Sequence, residues 1–129
     1  MESSPMKDRF QVLGYRSDAK EVVATCDCLV LASTHGEGLS KSVLESMFLG
    51  IAPIITDIQG NAGLLENGQS GWVVPPKDPV ALAAAINEMA SSKSERKRRG
   101  ANAKEHMRIH FHIDQTVEQY EKLYQRLLQ

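Results

Sequence analysis

Apolar and polar positions change period several times along the chain, and each change marks a predicted element. Phe10-Gln11-Val12-Leu13-Gly14-Tyr15 predicts a short strand ending at Gly14. Asp18 to Thr25 takes helical spacing, with Asp18 as the expected N-cap. Cys28-Leu29-Val30-Leu31-Ala32 is a continuous apolar run, the pattern of a strand buried on both faces. Ser40 to Leu49 returns to helical spacing, with Val43, Leu44, Met47 and Phe48 on one face and Gly50 as the stop. Ala52 to Thr56 predicts the next strand, residues 60–66 a short helix closed by Asn67-Gly68, and Gly71 to Pro76 a last strand ended by prolines. Asp78-Pro79 opens a helix with Asp78 at the N-cap and Leu82, Ala83, Ile86 and Met89 as its buried stripe. Two further helices are predicted, Ser94 to about His110 and Asp114 to Leu128. The last is amphipathic through Val117, Tyr120, Leu123, Tyr124 and Leu127.

Strands alternating with helices predict an α/β fold, a mostly parallel, Rossmann-like sheet of doubly wound type flanked by helices. Such sheets bind ligands at the carboxyl ends of their strands. Loops 14–17, 33–40 and 57–63 leave those ends, and they carry Tyr15, Arg16, Ser33, Thr34, His35, Glu37, Asp57, Gln59 and Asn61.

The chain has 129 residues, enough for one domain, and contains no internal repeat or interdomain linker. Its net charge of -1 gives no general attraction to nucleic acid or anionic lipid. The basic residues from Lys93 to Arg108 are interleaved with Glu95 and Glu105 and read as a solvated helix face. No apolar run approaches the roughly 20 residues that span a bilayer, and the first residues lack the apolar core of a signal peptide, so a cytoplasmic location is expected. Cys26 and Cys28 are too close on one strand for a relaxed disulfide and too few for structural zinc; they read as buried free thiols. Trp72 reads as core.

The candidate chemistry centres on Glu37 and Glu45, eight positions apart. The first lies in the loop after a strand and the second inside the helix that follows. Carboxylates accept hydrogen bonds from paired hydroxyls, and the helix start between them offers free backbone N–H groups. Eight helical residues span roughly 12 Å, less where a loop begins them. That suits a ligand with a hydroxyl-bearing group at each end and a phosphate bridge between, the shape of a nucleotide sugar. His35 reads either as a general base or as an exposed loop residue. No loop offers an Asp-x-Asp pair for a phosphate-bound metal, so no metal is expected.

The segments around these glutamates resemble a known family. The run Gly14…Ala32-Ser33…Glu37-Gly38-Leu39…Val43-Leu44-Glu45…Met47…Gly50…Pro53-Ile54-Ile55…Asp57…Gly60…Glu66-Asn67-Gly68…Gly71-Trp72-Val73-Val74-Pro75-Pro76-Lys77-Asp78 is similar to the C-terminal domain of family 4 retaining glycosyltransferases. Those enzymes have the GT-B fold of two facing Rossmann-like domains. Their Glu-x7-Glu signature matches at Glu37 and Glu45. The resemblance implies that Glu45 binds the donor ribose hydroxyls and that Glu37, the catalytic-site carboxylate, contacts the transferred sugar. It implies that N–H groups around Gly38, Leu39 and Ser40 receive the diphosphate, and that Tyr15 and Arg16 border the nucleobase. It also implies a nucleotide-diphosphate sugar as substrate with no cofactor, transfer of a hexosyl group with retention, and an acceptor (sugar, lipid or protein) that is not legible.

Two departures stand out. Gly63 occupies a position where the family often has an acidic residue. The family's C-terminal domain usually begins roughly 50–60 residues earlier, the length of about two βα units. Residues 1–129 therefore read as a single, partial donor-binding domain whose upstream basic pair and acceptor-binding N-terminal domain are missing, with membrane association expected only through absent regions. Two other readings stay open: a non-catalytic interaction module derived from such a domain, and a nucleotide-sugar epimerase of the same architecture. The last helix either packs on this domain or crosses to a partner domain.

Overall fold

The computed structural model describes residues 5–36, 38–61, 63–66 and 68–128. After a short 3-10 turn at Lys7–Arg9 come α1 (Ala19–Ala24), β1 (Leu29–Leu31), α2 (Lys41–Leu49), β2 (Pro53–Thr56), β3 (Trp72–Val74), α3 (Pro79–Ser91), α4 (Lys93–His110) and α5 (Ile113–Leu127). The three strands are parallel and lie in consecutive order, β1-β2-β3. Among the described residues the sheet therefore has no reversal of strand order, the mark of double winding.

Register explains the two cores. Leu31, Ile55 and Val73 lie side by side, as do Val30, Ile54 and Trp72 in the next row. Neighbouring residues of a strand face opposite sides of its sheet. The first row meets α2 and α4, where Ile55 packs with Val43, Met47, Leu64, Leu65 and Ala103. The second meets α3, where Ile54 and Trp72 pack with Ala52, Val74 and Ala85. Met47 and Ile54 are wholly buried, each worth about 1.5–3 kcal/mol against exposure.

Several expectations need correction. Residues 10–15 form no strand among the described residues; Phe10 and Val12 are exposed. β1 is not buried on both faces: it is an edge strand, α3 covers Ile54 and Trp72, and Val30 stays 42% exposed. Phe48 points away from the buried face of α2. On α3 the buried stripe is Ala81, Leu82, Ala85 and Met89, while Ala83 and Ile86 face solvent. The segment expected as a helix at 60–66 is a series of turns in which Gly60 and Gly63 take φ of +97° and +89°, left-handed geometry that stops a helix; Ala62 and Asn67 lie outside the described residues. Cys26 is exposed rather than buried, and Cys28 is half-buried, with burial pushing its thiol up to about 11.

The helix ends follow local chemistry. Asp78 accepts from the N–H groups of Val80 and Ala81, capping α3 with Pro79 in its first turn. Ser92 ends α3 and caps α4 by accepting from the Glu95 N–H. α4 is held to the sheet side by Arg99, which is buried beneath its charge partners: its guanidinium donates to Glu95, Glu88 and the Gly71 carbonyl and lies 4.1 Å from the centre of the Trp72 ring. Arg98 and Asn102 donate to the carbonyls of Gly68 and Gln69, tethering that turn to α4. The apolar face of α5 is uncovered: Val117, Tyr120, Leu123, Tyr124 and Leu127 are all exposed.

Candidate functional site

The site is built on the carboxyl ends of β1 and β2. The Thr56 hydroxyl, at the end of β2, donates to the Ser33 carbonyl at 2.7 Å. This pins the loop leaving β1 to the neighbouring strand. A side chain at Gly36 would meet the Gln59 carbonyl at 3.3 Å, so the loops after β1 and β2 touch. Asn61 is buried, and its amide donates to the Thr56 carbonyl at 3.2 Å. Its Oδ1 has no partner among the described residues.

The first loop delivers the chain to α2. Ser40 sits at the N-cap in extended conformation, yet its side chain caps nothing; its Oγ lies 3.1 Å from the Ser42 Oγ instead. No described side chain accepts from the N–H groups of the first turn. Four such groups per helix lack intrahelical partners, and the helix dipole adds partial positive charge there. The result is a place suited to an anion at the strand ends. Gly38 and Leu39 are exposed just before it.

Glu45 lies about 7 Å along the helix axis from Ser40, five residues at the helical rise. Its side chain is 25% exposed, and its Oε1 lies 3.5 Å from Lys20 Nζ and 3.8 Å from Lys41 Nζ. A cavity of about 240 Å³ opens beside it, lined by Lys20, Lys41, Leu44, Phe48, Leu49 and Met107 as well. A second hollow of about 200 Å³ lies at the strand ends on the α3 side, between Thr34, Thr56, Lys77 and Leu82. Lys77 there takes φ of +60°.

The structure carries Gly38, Leu39, Ser40 and Glu45 on one loop and helix, and the second loop meets the first at Gly36. It does not bring Tyr15 or Arg16 into contact with that group. Tyr15 is 99% exposed. Arg16 closes a fork on Asp18 at 2.8 and 2.5 Å, holding that carboxyl below its ordinary range. This also corrects the expected cap, because the engaged Asp18 side chain makes no capping bond to α1. His35 is exposed, with Nδ1 2.9 Å from the Thr34 hydroxyl. Glu37 lies outside the described residues.

Sequence reasoning missed Lys20, Lys41 and Thr56. The Lys41–Glu45 pair was legible as an i,i+4 spacing; the approach of Lys20 was not, because it depends on how α1 packs against α2. Among the described residues no group of three or more His, Cys, Asp and Glu could hold a metal ion, and no helix is long and apolar enough to cross a membrane.

Comparison with known proteins gives this geometry a context. The family profile described as glycosyl transferases group 1 matches residues 1–106. The crystal structure of Anabaena Alr3699/HepE in complex with UDP superposes with a TM-score of 0.88 at 23% identity, covering 94% of this chain and 33% of that one. The C-terminal domain of a glycosyl transferase group 1 family protein (LpcC) from Francisella tularensis gives a TM-score of 0.70 at 21% identity, covering 81% and 53%. An uncharacterised glycosyltransferase of Methanocaldococcus jannaschii is 27% identical over 107 residues, 83% of this chain. The chain spans only 27% of that relative's length.

Proposed function

The chain belongs to the group 1 glycosyl transferases with the fold of their GT-B C-terminal domain, and on that premise we propose that it is the donor-binding part of an enzyme that moves a hexosyl group from a nucleotide sugar to an acceptor with retention of configuration. The observation that carries this reading is the uncapped start of α2 at the strand ends, with Glu45 one and a half turns further on. The diphosphate lies against the N–H groups of Gly38, Leu39, Ser40 and the first turn. Glu45 accepts from the ribose hydroxyls. Glu37 meets the transferred sugar. The bare ring of Tyr15, with Arg16 beside it, borders the nucleobase. UDP is the first nucleotide to test, since it is the ligand of the HepE structure.

In this reading the protein orients the donor and stabilises the departing diphosphate, with helix N–H groups aimed where charge develops. The acceptor is a sugar, a lipid or a protein and docks through the N-terminal domain that completes the enzyme. Titration of the 129-residue chain with UDP, GDP and ADP and their sugars, followed by two-dimensional NMR, tests it. Saturable shifts at Gly38, Ser40 and Glu45 are expected. Glu45→Ala should weaken nucleotide binding by roughly 1–3 kcal/mol, the range for a charge-assisted hydrogen bond; an unchanged dissociation constant would sink the ribose role.

A second reading has its own observations. The free edge of β1 and the uncovered face of α5 suit a non-catalytic interaction module. Self-association without any nucleotide response favours it.

A further inference from the structure

We propose that Lys20 is a positioning residue that holds the Glu45 carboxylate in its ribose-binding orientation; the inference rests on the reading of Glu45 as the ribose acceptor. Both nearby ammonium groups approach the same oxygen. Lys20 Nζ is 3.5 Å and Lys41 Nζ 3.8 Å from Oε1. The closest approach of both lysines is to Oε1, so the carboxylate is steadied from that side and can still accept from a hydroxyl.

The two lysines differ in what they connect. Lys41 stands on the same helix as Glu45, in its first turn, and moves with it. Lys20 stands on α1. That short helix begins at Asp18, whose carboxylate grips Arg16. Arg16 is thus tied to the start of α1 by its ion pair with Asp18, and α1 is tied to α2 by the pair Lys20–Glu45. Lys20 sets the distance between the part of the site that borders the base and the part that holds the ribose.

The test uses the whole chain and two nucleotides, UDP and 2′-deoxy-UDP, each titrated against the wild type and Lys20→Met. An exposed ion pair contributes little, so Lys20→Met should weaken UDP binding about threefold. Against 2′-deoxy-UDP, which leaves Glu45 only the 3′ hydroxyl, the same substitution should have a smaller effect than on UDP. Lys20→Arg, which keeps the charge and reach, should restore most of the UDP affinity. In the assembled enzyme the loss should fall on KM for the donor, with kcat little changed. Equal weakening for both nucleotides would overturn the proposal, since Lys20 would then act on phosphate or on the fold. No effect on UDP would overturn it as well. Glu45→Gln separates the two levels: if it leaves the preference for UDP over 2′-deoxy-UDP intact, the ribose reading itself has failed; if it abolishes that preference while Lys20→Met does not reduce it, only the role of Lys20 has failed.

Discussion

Replacing Gly100 by alanine tests the packing that sets the position of α2. A Cβ built at Gly100 would lie 2.0 Å from the Gly50 carbonyl oxygen, 3.0 Å from its carbon and 3.5 Å from the Ala52 nitrogen. All three are backbone atoms, so no side chain can swing aside. Ordinary contact begins near 3.4 Å, so α4 and the end of α2 would have to part by about 1.4 Å. Overpacking in a tight interior costs about 1–3 kcal/mol and sometimes more. A helix gains about 1 kcal/mol when glycine becomes alanine. With backbone on both sides the upper end of the first range applies, so the variant should be less stable by about 2 kcal/mol. For a domain of this size that is a fall of roughly 6–10 °C in Tm. Thermal melting followed by circular dichroism reads it. Ala101→Gly, one residue on and exposed, is the control, and should cost only the propensity difference of about 1 kcal/mol. A Gly100→Ala protein as stable as the wild type, or more stable, would refute the claim that the two backbones touch there. NMR shifts at Ser40 and Glu45 in the variant would show whether the displacement reaches the proposed site.

Lys77→Gly should stabilise the chain by up to about 1 kcal/mol, because Lys77 holds φ of +60°, a conformation costly for any residue with a Cβ; a lower Tm would show that the lysine makes a contact worth more than the strain. Arg99→Ala should cost about 2–3 kcal/mol, since it strips the Trp72 ring of its cation and leaves the Gly71 carbonyl without its donor; a denaturant titration checks it, and a loss below 1 kcal/mol would count against the buried clamp. Acid should loosen the same corner. Hydrogen bonds from Arg98 and then Arg99 hold the Glu95 carboxyl at about 2, below its ordinary 4.5. A depressed folded-state pKa gives stability that is present above pH 4.5 and lost as pH falls toward 2. The Tm of wild type should therefore drop more steeply than that of Glu95→Gln over that window, and parallel curves would refute the assignment.

How much of this was legible in the sequence depended on whether the signal was local. The Asp78-Pro79 start of α3 and the strands at 29–31, 53–56 and 72–74 follow from local pattern and appear where the pattern puts them. Several of the misses turn on what a segment packs against. Phe10 to Gly14 has strand-like residues, but a strand exists only beside a partner, and among the described residues none is paired with it. Phe48 and Ile86 have the right spacing for burial, but which side of a helix is covered depends on what packs against it. Asp18 has the chemistry of a cap and spends it on Arg16. The candidate site was legible as a loop and helix start carrying Glu45, because that geometry is local too. Lys20, brought in from a separate helix, was not.

The consecutive order of the strands bears on how the chain comes together. Leu29 pairs with Pro53 and Ile54 with Trp72, separations of 24 and 18 residues. Each pairing closes a short loop, and the entropy of closure grows with loop length. The sheet can thus form by adding one neighbour at a time, without any strand waiting for a distant partner. Folding should accordingly be fast for a parallel sheet, with β1, α2 and β2 assembling before Arg99 arrives to close over Trp72.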